Sequence, residues 1–74
     1  MPDSLQTYVA AEIRAEMARR RITGQQLAGA LGRSNAWISV RLAGKQAIDL
    51  NDLERIADAL DVSADQLLPA RSAA

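Results

Sequence analysis

Six cations, Arg19, Arg20, Arg21, Arg33, Arg41 and Lys45, fall between positions 17 and 48, and no acid interrupts them. A net +6 over that stretch, in a chain of zero net charge, is a local cationic field suited to a polyanion. Acids flank it: residues 1–16 sum to −2 and residues 49–68 to −5, which limits non-specific adhesion. Those acids offer little to catalysis. Asp49 and Asp52 stand where a helix should begin, so cap and dipole roles suffice for them. Glu54 and Asp58 belong to a solvated face. There is no Cys, hence no disulfide and no thiolate site. There is no His either, which removes the commonest metal ligand and the usual neutral-pH proton shuttle. These residues support binding rather than bond-making; no enzyme activity, cofactor or metal is expected.

At 74 residues the elements that hold these groups form one domain, expected over residues 1–69 with a flexible tail at 70–74. Fifteen residues are Ala, which lets helices approach closely, so the core must come from nine Leu, five Ile and three Val with few others. No apolar run approaches a membrane span or a signal-peptide core, and a cytoplasmic location is expected. The periodicity predicts five helical segments and no strand. The first starts at Asp3 or Ser4 and runs to about Arg20, with Leu5, Val9, Ile13 and Met17 on one face. Arg19, Arg20 and Arg21 at its end suit the negative pole of the helix dipole.

The second segment opens on Thr23-Gly24-Gln25-Gln26, a capping box with Ile22 placed to staple against Leu27. Leu27, Ala28 and Leu31 form its buried stripe, and Gly32 stops it. The third, residues 34–43, has Ser34 as its cap, Ile38 and Leu42 as its inward pair and Gly44 as its stop. Two short helices joined through a Gly-containing turn are a helix-turn-helix pattern. A fourth helix begins at the Asp49 cap with Leu50, Leu53, Ile56, Ala57 and Leu60 as its stripe. A second capping box, Ser63 to Gln66, opens a short fifth helix carrying Leu67 and Leu68 before Pro69.

With Ile38 and Leu42 facing inward, Ala36, Val40 and Ala43 face directly away, and Ser39 lies on one flank with Trp37 and Arg41 on the other. A solvent-facing stripe without Lys or Glu is unusual. In a DNA major groove, small apolar groups can meet thymine methyls and let the helix sit deep. Asn35 in the first turn can pair with an adenine edge, and Arg33 or Arg41 with guanine or phosphate. The expected base-reading set is therefore Asn35, Ala36, Ser39 and Val40. Gln25, Arg33, Ser34, Arg41, Lys45 and Gln46 are expected at phosphates or on the flanks. Trp37 is expected to brace the third helix against the fourth.

The stretch ITGQQLAGALGRSNAWISVRLAGKQAIDLNDLERIADALDVSADQLL, residues 22–68, resembles a Cro/C1-type (XRE-like) helix-turn-helix domain. It is similar to the repressors of actinobacterial phages and their chromosomal relatives. The residues that carry this are Thr23, Leu27-Ala28, Gly32, Ile38-Ser39 and Gly44, followed by Leu53 to Leu60. The resemblance implies an all-α, compact, five-helix lambda-repressor-like domain whose partner is double-stranded DNA. It implies a sequence-specific transcriptional regulator, a repressor of phage or prophage immunity type, acting in a bacterial host cell. It also leaves open an antitoxin that binds a toxin protein and autoregulates its operon. Relatives dimerise through the last helix, where Leu67 and Leu68 stand, so the chain is expected as a homodimer through that helix or a monomer. The sequence departs from the family at Gly24, where the pattern has Gln, and at Arg41, where many relatives bury an aliphatic side chain. Gly24 and the zero net charge are what would support a third reading, a protein-interaction domain that has abandoned DNA.

Overall fold

A computed structural model describes residues 4–70, as four α-helices and one 3₁₀ turn. In chain order these are α1 (Leu5–Arg20), α2 (Gly24–Leu31), α3 (Asn35–Leu42), α4 (Leu50–Leu60) and the turn Ala64–Leu67. Each α-helix starts at a polar side chain that accepts a hydrogen bond from an N–H the helix cannot itself satisfy. Ser4 Oγ accepts from Thr7, Thr23 Oγ1 from Gln26, Ser34 Oγ from Trp37 and Asp49 Oδ1 from Asp52. The Thr23 cap is reciprocal, since Gln26 Oε1 accepts the Thr23 N–H at 2.9 Å. Asp3, the alternative first cap, lies outside the described residues, as does the tail beyond Ala70.

All four helices end alike. A left-handed residue follows each, at Arg21 (φ 57°), Gly32 (68°), Gly44 (76°) and Asp61 (58°). Its N–H and that of the next residue turn back onto the last turn, as in Ile22 to the Met17 carbonyl and Arg33 to the Ala28 carbonyl. This paired return is the Schellman arrangement.

The core draws on every element. Val9, Ile13 and Met17 of α1 meet Leu27, Ala28 and Leu31 of α2, Ile38 of α3, Leu53, Ile56, Ala57 and Leu60 of α4, and Leu67. α2 packs on both α3 and α4, while α1 lies across α3, α4 and the 3₁₀ turn. Trp37, Leu42 and Ile22 pack half-buried at the edge of this cluster. Helix α3 contributes a single fully buried side chain, Ile38, which is 1% exposed.

Three expectations need correction. The fifth segment is one 3₁₀ turn rather than a helix, so the domain has four α-helices. Gln66 Oε1 accepts the Ser63 N–H as the capping box requires. Pro69, however, lacks an N–H and drives Leu68 to an extended backbone (ψ 152°), which leaves room for one turn. The buried stripes of α1 and α4 also begin later than their sequence period suggests. Leu5 is 56% exposed and Leu50 80% exposed. Each is the first residue of its helix. Finally, Leu67 is 0% exposed and packs into its own chain's core, so it has no surface to offer a partner. Leu68 beside it is half-buried.

Candidate nucleic-acid interface

The α2–turn–α3 unit is fixed from within. Ala28 is buried, and the first residue of α2, Gly24, lies against the inner face of α3: a Cβ built there would meet Leu42 Cδ1 at 3.8 Å and Ile38 Cγ2 at 4.0 Å. Helix α3 is therefore held by Ile38 and Leu42 on one side, and its other side is open. Asn35, Ala36, Ser39, Val40 and Ala43 are all exposed, Val40 by 39%. The four residues expected to read bases thus share one uncovered face of an eight-residue helix.

Both short helices also present unpaired backbone donors. Thr23 and Ser34 cap the third N–H of α2 and of α3. The N–H groups of Gly24 and Gln25, and of Asn35 and Ala36, make no hydrogen bond among the described residues. Such donors at a helix N-terminus suit an anion. The Gln25, Lys45 and Gln46 side chains expected to flank them are exposed.

The cations are less free than their number suggests. Arg19 and Arg20 both pair with Glu16, about one turn back along α1. Arg41 folds back on its own helix. Its guanidinium carbon lies 4.0 Å from the Trp37 ring centroid, and Nη1 donates to the Trp37 carbonyl at 3.0 Å. Arg41 Nε is buried and has no hydrogen-bond partner among the described residues. Arg33 also lies over Trp37, at 4.8 Å, and its Nη2 stands 3.6 Å from Asp52 Oδ1. Trp37, half-buried between core and surface, is thus the plate on which two arginines rest.

A family model described as a helix-turn-helix domain matches residues 9–70. The chain belongs to that helix-turn-helix family. Among solved structures it is similar to a hypothetical transcription factor, NHTF, from Neisseria, at 28% identity and a TM-score of 0.84, over 93% of this chain and 82% of that one. It is similar to the clp gene regulator ClgR from Corynebacterium glutamicum at 23% identity and a TM-score of 0.85, over 89% and 86% of the two chains. The same helices recur within apo-HppE at 24% identity and a TM-score of 0.81, over 89% of this chain but 37% of that one. The last two likenesses speak to the fold alone. No protein of curated function matches the sequence.

Within this helix-turn-helix domain four side chains escape sequence reasoning. Arg14 Nη1 of α1 donates to the Leu42 carbonyl at the end of α3, and Gln6 Nε2 donates to the Gly44 carbonyl just beyond at 2.9 Å. Arg55 Nη2 of α4 donates to the Leu31 carbonyl at the end of α2, at 2.8 Å. These cationic and amide donors satisfy helix-end carbonyls that no local group reaches. The fourth is Asp52, read from sequence only as a dipole partner and found against Arg33. Partners 19 to 38 positions apart leave no periodic trace in a sequence.

Proposed function

We propose that this helix-turn-helix protein is a sequence-specific DNA-binding transcriptional regulator that lays α3 in the major groove and represses by occluding a promoter. The observation that carries this reading is the uncovered face of α3. Asn35, Ala36, Ser39 and Val40 are exposed together just after Arg33, on a helix whose N-terminal N–H groups are free among the described residues. On that reading the four residues take base edges and thymine methyls, while Gln25, Ser34, Lys45, Gln46 and the two N-termini take phosphates. Arg41 contributes through its hold on Trp37. The name of the Neisseria structure, a hypothetical transcription factor, agrees with this reading. The chemistry is binding alone, without cofactor, and the site of action is the cytoplasm of a bacterial host, in the manner of a phage or prophage repressor.

A second reading is favoured by a different observation. Leu5, Tyr8 and Leu50 are large, exposed and apolar, and with Ile48 and Leu68 they line a shared shallow surface. A protein partner suits that surface, whether a second copy of this chain on a two-fold site or a toxin held by an antitoxin. The test is selection from a randomised duplex pool followed by footprinting of the enriched sequence. Enrichment and protection of one sequence is the expected result, with two half-sites if the chain is dimeric. A pool that stays random would contradict DNA reading and leave the partner-protein role.

A further inference from the structure

We infer that Asp52 is a positioning residue for DNA readout: with Trp37 it fixes the Arg33 guanidinium in one plane at the entrance to α3, set to take the edge of a guanine. The inference rests on the DNA-reading function proposed above. Arg33 stands directly before Ser34, the cap of α3, so its side chain leaves the backbone beside the turn that meets base edges. Two contacts restrain it. The Trp37 ring lies 4.8 Å beneath the guanidinium carbon, and Asp52 Oδ1 lies 3.6 Å from Nη2. Asp52 is itself fixed, because its N–H donates to the Asp49 cap at 2.7 Å and its side chain is only 14% exposed.

At 3.6 Å the Arg33–Asp52 contact is an ion pair and not a hydrogen bond. The guanidinium's N–H donors therefore remain uncommitted; none makes a hydrogen bond among the described residues. Arg41, on the same ring, is the contrast, with Nη1 given to the Trp37 carbonyl. A planar fork restrained at two points at the head of α3, with donors to spare and a side chain 41% exposed, matches the paired acceptors O6 and N7 of guanine.

The opposing charge gives the test its sign. A carboxylate beside a DNA interface repels phosphate, so a bystander Asp52 would weaken binding to every duplex, and its neutralisation would help. The experiment measures affinity for the pool-selected duplex and for a scrambled duplex of the same composition, with Asp52→Asn and Asp52→Glu, each in the natural and the Arg33→Ala background. Asp52→Asn is expected to lower the selected-to-scrambled ratio by about ten-fold while binding to the scrambled duplex holds or rises. Asp52→Glu should recover most of the ratio, and in the Arg33→Ala background Asp52→Asn should change it by less than about two-fold. Equal tightening on both duplexes would make Asp52 a bystander. Equal weakening would make Arg33 a phosphate contact, and a ratio loss that persists without Arg33 would assign Asp52 another route; each outcome overturns the inference. Should the natural protein itself prefer no duplex, the DNA-reading function falls first and the inference with it.

Discussion

Asn35 is the residue with the most to say about sequence preference. It is exposed in the first turn of α3, outside the Ile38 and Leu42 attachment, and its own N–H is free. Asn35→Ala should therefore cost about 1–3 kcal/mol of binding to the selected duplex while leaving the melting temperature unchanged. Comparing affinities for selected and scrambled duplexes, alongside a thermal melt, checks this. An unchanged preference would remove Asn35 from the readout. Residue type alone said less about the arginines. The acid-free run was visible in the sequence, but what each guanidinium touches was not: Arg19 and Arg20 meet Glu16, and Arg41 lies on Trp37. Arg14 and Arg55, outside the run, hold the ends of α3 and α2. The Arg14 and Arg55 contacts depend on which helices pack together, which the core decides, whereas those of Arg19, Arg20 and Arg41 lie three or four residues apart on one helix.

Helix starts and stops were the most legible feature of the chain, because they are local chemistry. Ser4, Thr23, Ser34 and Asp49 all cap as their residue types require. The stops divide by residue. Gly32 and Gly44 announce a left-handed position, whereas Arg21 and Asp61 adopt the same geometry without a glycine to mark it. An opposite pair of substitutions tests this. Gly32→Ala should destabilise by about 1–2 kcal/mol through backbone strain, although a Cβ there meets nothing within 4 Å. Arg21→Gly should relieve the same strain, less glycine's entropy cost, and raise stability by about 0.5–1 kcal/mol. Urea melts of the two variants decide; equal and like-signed effects would mean that the left-handed turns are unstrained. The illegible part lay at helix ends facing away from the chain's centre. Leu5 and Leu50 fit the period, but periodicity records only which face points inward and not how far the covering elements extend.

At the scale of the whole molecule, zero net charge conceals a basic side whose strength is set by pairing as much as by count. Six cations fully engaged with phosphates would give a slope of log affinity against log salt of about −5. With Arg19 and Arg20 paired to Glu16, Arg41 turned onto Trp37 and Arg33 beside Asp52, the cations of the run left for phosphate are Arg21 and Lys45. The expected slope is about −2, read from titrations of one duplex over a several-fold range of salt. A flat response would take the basic side away from the interface. The central claim, that the uncovered face of α3 meets DNA, is tested most directly by Val40→Glu in a gel-shift with the selected duplex. Val40 is exposed on that face and outside the core, so the variant should fold normally, and sedimentation should find its association state unchanged. Its anion would stand against phosphates and base acceptors, so duplex binding should be abolished. A folded Val40→Glu protein that shifts the duplex as well as the natural one would contradict the account.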